Sequence, residues 1–249
     1  MQVLPIKLRP LLPPKGDLLG ALRASKLSLR SGDIIAIASK VVSISEGRCI
    51  PITKAKKNNL IRKEADHYFE PPRSRYRRIF TIARGILVGS AGIDESNGAD
   101  HYILYPKDSF KSARRLRRAL LRMYGVKKLG LIITDSTSIP LRRGAIGIAL
   151  AWDGLDPLRD YRGTPDIFGR AFTIELANIV DGLAAAAVLA MGEGKEQTPV
   201  VVIRDAKNIV LKNRSRARDQ LMVTPEDDLF APLLFTGRKW KRNKKNDGS

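Results

Sequence analysis

Leu131-Ile132-Ile133-Thr134-Asp135-Ser136 is a short apolar run that ends in a carboxylate and a hydroxyl. It reads as a buried strand whose last residues carry oxygen atoms to a sheet edge. Upstream, Ile86-Leu87-Val88 leads into Ser90-Ala91-Gly92-Ile93-Asp94-Glu95-Ser96-Asn97, a second acid beyond a second apolar run. Two strand ends of this kind are a usual way to hold a hard divalent cation beside a phosphate.

Working outward, Ser109 to Tyr124 reads as a helix that Asp108 or Ser109 can cap and Gly125 stops. Ala113, Leu116, Leu120 and Met123 mark its apolar face; Arg114, Arg115, Arg117, Arg118 and Arg122 mark the other. Gly130 to Thr134 is the strand that follows, and Ala145 to Ala151 another, where Gly147 permits the close approach of a neighbour. Ala171 to Met191 reads as one long helix, and Pro199 to Arg204 as a strand. On the amino-terminal side, Asp17 to Leu27 has helical spacing, Ile34 to Ala38 is a strand, and Ser43 to Ile52 reads as extended. Residues 54–78 read as helix plus loop, and Arg84-Gly85 joins Ile79–Ala83 to Ile86–Ser90 as a hairpin. This alternation makes the class α+β, a mixed α/β arrangement. Residues 1–236 read as one domain, and 237–249 as a basic, disordered tail.

The chain has 249 residues, enough for one large core or two small ones. Lys+Arg 45 against Asp+Glu 25 gives a net charge of +20, a field that attracts polyanions such as nucleotides, anionic metabolites or nucleic acid. The single cysteine, Cys49, excludes an intrachain disulfide, and two histidines argue against a His-rich zinc site. Met1 to Pro5 lacks the features of a signal peptide, and the apolar run Leu183 to Met191 is too short to span a bilayer. These features read as a soluble, cytoplasmic protein that no membrane binds. The glycines form neither a dinucleotide fingerprint nor a Walker loop.

Asp94, Asp135 and Glu193 are the metal candidates. Glu193 stands in Met191-Gly192-Glu193-Gly194, where the glycines let backbone approach a phosphate. Each acid, taken singly, also reads as a cap or a turn residue. Arg142-Arg143 before Gly144 suits bidentate capture of phosphate or carboxylate, and equally suits a solvated loop. The arginine helix face and the basic tail are candidates for weak, salt-sensitive contact with nucleic acid; a solvated face and a solubilising tail explain them as well.

At these residues the chain resembles the coenzyme F420-0:L-glutamate ligase family. The resemblance runs from about residue 9 to 205, through Pro10-Leu11-Leu12, Gly16-Asp17, Gly32-Asp33, Ser39-Lys40, Ser43, Glu46-Gly47, Ala91-Gly92-Ile93-Asp94 with Ser96-Asn97, Ser112-Ala113 with Leu116-Arg117, Ile132-Ile133-Thr134-Asp135, Arg142-Arg143-Gly144, Asp160, Gly169-Arg170 and Met191-Gly192-Glu193-Gly194. It implies a two-part γ-glutamyl ligase fold with mixed sheets that pairs into a homodimer. It implies a ligase that joins L-glutamate to a carboxylate acceptor, using GTP and Mg2+ or Mn2+ with K+ assisting. Asp94, Asp135, Ser136 and Glu193 then look like metal ligands. Pro10, Leu11, Leu12, Ser39, Lys40, Asn97, Met191, Gly192 and Gly194 look like GTP contacts. Lys40 with Arg142 or Arg143 would help neutralise the transferring phosphoryl group. Two departures stand out: Ile44 replaces a lysine frequent in the family, and Thr134-Asp135-Ser136-Thr137-Ser138-Ile139-Pro140 lacks the usual Gly-Arg. The latter form is similar to a branch linked to folate metabolism, which would make the acceptor a folate or another carboxylate. A reading of another class is a nucleic-acid- or nucleotide-binding protein that keeps the scaffold without its chemistry.

Overall fold

The computed structural model describes residues 1–71, 78–213 and 221–243. Its elements run β1 (Gln2–Ile6), α1 (Leu18–Ala24), β2 (Ile34–Ala38), α2 (Ser39–Ser45), β3 (Cys49–Pro51), α3 (Lys57–Glu64), β4 (His67–Phe69), β5 (Phe80–Ala83), β6 (Ile86–Gly89) and β7 (His101–Ile103). The chain continues with α4 (Ser109–Tyr124), β8 (Gly130–Thr137), β9 (Ile146–Asp153), β10 (Leu158–Asp160), β11 (Leu176–Asn178), α5 (Ile179–Met191), β12 (Val200–Arg204), α6 (Ala231–Phe235) and β13 (Lys241–Arg242). The class is mixed α/β with several sheets.

The central sheet has the order β1-β12-β2-β8-β9. Its inner strands β12, β2 and β8 are buried on both faces, which is why Ile34–Ala38 and Leu131–Ile133 are apolar runs without polar alternation. Ile35, Ile37, Leu131 and Ile133 pack against α1, α2 and α4 through Leu22, Val42, Leu116 and Leu120. Ile34, Ala36, Ile132 and Val201 face α5 through Val180, Leu183, Ala184 and Ala187. Gly147 explains how close α5 comes. A Cβ there would lie 2.5 Å from the Ala184 carbonyl oxygen and 2.6 Å from Val188.

β2 and β8 are parallel, with Ala38 opposite Thr134, so Ser39 and Asp135 leave the sheet side by side. β12 is antiparallel to β2 and to β1, so Pro199 and the chain beyond Ile6 lie at that same end. The carboxyl end of α5 reaches it too, since Met191 packs in this core and Thr198 donates from its hydroxyl to the Met191 carbonyl at 2.7 Å. Segments distant in sequence therefore share one edge.

Several expectations change. The extended reading of Ser43 to Ile52 fails, because α2 runs to Ser45 and only Cys49–Pro51 is strand. Its apolar residues serve a helix face, with Val41, Val42 and Ile44 buried. The long helix begins at Ile179 rather than Ala171: Asn178 caps it by accepting from the Asp181 amide at 3.1 Å, and Leu176–Asn178 pairs with β10. β1 was not anticipated; it sits at the sheet edge, where Pro5 has no amide to pair. Arg117 does not belong to the solvated arginine face. It is 5% exposed, donates from Nε to the Leu129 carbonyl at 2.6 Å and pairs with Asp153 at 3.3 Å. The first part of the expected tail is ordered: Lys241–Arg242 pairs with Tyr68 and His67, and Trp240 lies against Phe69 and Phe235. The remainder, 244–249, lies outside the described residues, as does 72–77 within the basic stretch. No helix among the described residues is long and apolar enough to cross a membrane.

Candidate active site

The shared sheet edge opens into a cavity of about 470 Å3. Pro10, Leu11 and Leu12 line it from the segment after β1, and Ser39 and Lys40 from the start of α2. Asp94 and Asn97 enter from the loop after β6, Asp135 and Ser136 from β8, and Met191, Gly192, Glu193 and Gly194 from the end of α5. The structure thus gathers every candidate except Arg142 and Arg143. Those two lie on an exposed turn between β8 and β9 and do not line the cavity. Arg9, Lys195 and Glu196 line it without having been anticipated. Each flanks a motif, which is the only trace they leave in the sequence.

Asp94 is held rigidly. Its backbone pairs with Ile103, the Asp94 amide donating at 3.0 Å and the Ile103 amide returning a bond at 2.8 Å. Its Oδ1 accepts from the amides of Glu95 and Ser96 and from the Ser96 hydroxyl. Its Oδ2 pairs with Lys40 Nζ at 2.6 Å. Burial opposes the charge, but the Lys40 ammonium outweighs it and, with the Ser96 bonds, holds the carboxyl below its ordinary range. Lys40 also donates to the Ser96 carbonyl at 2.9 Å.

Asp135 is the opposite case. Burial pushes its carboxyl up to about 6; bonds from the Tyr105 hydroxyl and the Ser136 amide pull it back, while the charges of Asp94 and Glu193 add to the rise. Ser39 donates to Asp135 Oδ1 at 3.5 Å, and Ser136 to Glu193 Oε2 at 3.5 Å. Asn97 ties the two rims together, donating from Nδ2 to the Gly194 carbonyl at 3.1 Å. Tyr105 is the other residue that sequence reasoning missed. It follows β7 in no motif, and only its three-dimensional place beside Asp135 marks it.

A divalent cation fits the chemistry of Asp135, Ser136 and Glu193. They offer hard oxygen donors, and the mutual repulsion of their carboxylates is what a cation relieves. Among the described residues, no three His, Cys, Asp or Glu side chains converge closely enough to form a metal shell by themselves. Asp94 pairs with Lys40, and its Oδ2 becomes available to a cation once that ammonium turns to another anion. A cation here would therefore share its shell with oxygens of substrate or water, as an exchangeable metal does.

Taken together, the fold is a mixed α/β protein with an acid-floored, base-rimmed cleft where parallel strands end, a usual place for a ligand site. The F420-0:gamma-glutamyl ligase family matches residues 14–205. The chain is 34% identical to the coenzyme F420:L-glutamate ligase of Methanopyrus kandleri, over 86% of this chain and 92% of that one. It is 35% identical to the enzyme of the same name from Natronomonas pharaonis, over 91% and 92%, and to that from Methanocaldococcus jannaschii, over 81% and 86%. The chain belongs to the F420-0:gamma-glutamyl ligase family.

Proposed function

We propose that this chain is a GTP- and divalent-cation-dependent ligase that joins L-glutamate to the carboxylate of a deazaflavin precursor, coenzyme F420-0, as a homodimer with K+ assisting. The observation that carries this reading is the meeting, around one cavity, of motifs from five separate parts of the chain. Full-length relatives bearing the name coenzyme F420:L-glutamate ligase support the acceptor.

A carboxylate is a poor electrophile, so it is activated first. An acceptor oxygen attacks the γ-phosphorus, the bond to the leaving diphosphate breaks, and an acyl phosphate forms. The amine of glutamate then attacks the acyl carbon and gives up a proton as phosphate departs. Lys40 stands at the rim and can exchange Asp94 for a nucleotide phosphate, bringing positive charge to the oxygens that gain negative charge. Bound at Asp135, Ser136 and Glu193, Mg2+ or Mn2+ would supply Lewis-acid neutralisation of the transferring group. Pro10, Leu11 and Leu12 give the cavity an apolar wall against which the nucleotide would pack.

A second acceptor class is favoured by the segment Thr134 to Pro140, which enters the cavity through Thr134, Asp135 and Ser136 and is similar to the folate-metabolism form, while Ile44, also in the lining, takes a cation from the nucleotide wall and leaves ATP as the alternative to GTP. A folate or another carboxylate is then the alternative. Purified protein incubated with GTP, Mn2+, labelled L-glutamate and either F420-0 or a folate decides. Label should enter F420-0 with release of one GDP per amide. Label in neither acceptor, with no GDP released, overturns the ligase reading; label in the folate alone reassigns the acceptor.

A further inference from the structure

We propose that Tyr105 is a positioning residue for Asp135: it is seated in the space that Gly92 leaves and presents one chosen carboxylate oxygen to the cavity. This rests on the cation-assisted reading above. Tyr105 is 4% exposed and does not line the cavity, whereas Asp135 and Ser39 do. The Tyr105 hydroxyl donates to Asp135 Oδ2, while the Ser39 hydroxyl donates to Oδ1. Oδ2 thus sits on the buried phenol, and Oδ1 on the hydroxyl of Ser39, which lines the cleft. A carboxylate swings broadly about its last torsion, and a donor fixed on one oxygen removes that freedom.

The phenol is itself held from several sides. Its ring fills the place where a Cβ on residue 92 would lie, and Gly92 has φ +67°. Any larger residue there would displace the ring. Arg48 donates from Nε to the Tyr105 carbonyl at 3.0 Å, and Glu64 anchors Arg48 at 2.5 Å. The preceding β7 pairs with β3 and, at Ile103, with Asp94 itself. The glycine of Ala91-Gly92-Ile93-Asp94 therefore serves the other acidic motif. One tyrosine couples Asp94's loop to Asp135's strand, so that the two carboxylates keep a set relation. A purely structural tyrosine would cost stability when its hydroxyl was removed and leave ligand affinity alone. A positioning tyrosine would lower ligand affinity as well, and only through Asp135.

Mn2+ binding to the full chain, titrated by calorimetry both alone and with GDP, separates these outcomes for Tyr105→Phe, Asp135→Asn and the double variant. Tyr105→Phe should weaken Mn2+ binding by roughly tenfold to a hundredfold, the range for residues that orient metal ligands. Its metal-free melting temperature should fall by only a few degrees, the cost of one buried hydrogen bond, with the chain still folded. In the Asp135→Asn background the same change should have no further effect. Gly92→Ala keeps the hydroxyl but denies the ring its seat; it should weaken binding too, and it carries the test if Tyr105→Phe does not fold. Wild-type affinity in Tyr105→Phe beside weakened Asp135→Asn overturns the role of Tyr105 and leaves the ligase reading intact. Additive losses in the double variant overturn the role as well. Wild-type affinity in Asp135→Asn refutes the cation site, and this role with it.

Discussion

Asp94 and Asp33 show how the same side chain serves different ends in different surroundings. Asp94 is fixed by two amides and a hydroxyl, yet it keeps one oxygen on a lysine at the cavity rim. Asp94→Ala should lower turnover by a hundredfold or more, since losing one preorganised charge interaction costs about 3 kcal/mol or more in the barrier. Glutamate incorporation measured beside a denaturant melt checks this. Near-normal incorporation with a loss of about 1 kcal/mol in stability would make Asp94 a turn residue only. Asp33 lies at the far end of the sheet, 2% exposed, and accepts from two nitrogens of Arg204's fork, Nε at 2.9 Å and Nη2 at 2.7 Å. Burial raises its carboxyl, but the Arg204 bonds and the Arg30 amide outweigh that and hold it below 3.8. A depressed folded-state value means the pair's stabilisation is full above the ordinary pKa and fades as pH falls through the folded one. Asp33→Asn should thus cost about 3 kcal/mol at neutral pH. The gap from wild type should narrow in acid below 3.8. Urea melts across pH would read it, and a gap independent of pH would show that the charge is not what stabilises.

The elements differ in how far local sequence determines them. α4 is specified locally: Asp108 accepts from the Lys111 amide at 2.8 Å, and Leu116 and Leu120 face the core. β13 is the reverse. Lys241 and Arg242 have no strand propensity to speak of and become a strand only because β4 offers an open edge. Trp240 anchors the crossing, wedged between Phe69 and Phe235 with its indole nitrogen donating to the Leu234 carbonyl at 3.0 Å. Truncation after Thr236 removes Trp240 from that aromatic cluster and bares the edge of β4. It should lower stability by about 2–3 kcal/mol, the scale for burying one large aromatic side chain, while leaving the cavity lining unchanged. Calorimetric melting of the truncated chain checks it; an unaltered melt would mean that the segment only rests on the sheet.

At the scale of the whole molecule, a net charge of +20 surrounds a cleft floored by acids. The positive exterior draws anionic substrates inward, and the acids concentrate a local negative field that the exterior does not cancel. If the proposed divalent cation relieves this repulsion, it would bind only the folded state and so stabilise it. At a Mn2+ concentration a hundredfold above its dissociation constant the gain is about 2.7 kcal/mol, or roughly 5–10 °C in melting temperature for a chain of this size. Asp135→Asn should lose most of that response. Equal metal responses in the two proteins would remove Asp135 from the site.

Read alone, the chain determined a good deal of this. Leu131–Ser136, Ile34–Ala38 and Ser109–Tyr124 carry their own signals, because apolar runs, caps and helical spacing act over a few residues. The ordered motifs around Asp94, Asp135 and Glu193 marked the cavity, since a phosphate- and cation-type site needs glycine, hydroxyl and carboxylate at set places. What only the tertiary structure decided depends on partners far along the chain. Val41, Val42 and Ile44 are as apolar as a strand requires, and the face they meet makes them a helix. Arg117 differs from Arg118 by one residue, yet it turns inward to the Leu129 carbonyl and Asp153. Arg142 and Arg143 have the chemistry of a phosphate clamp, but their turn carries them away from the cavity. Tyr105 has no motif at all. Its role comes from Gly92 on one side and Asp135 on the other, and that meeting exists only once β7 has paired with β3 and with Asp94.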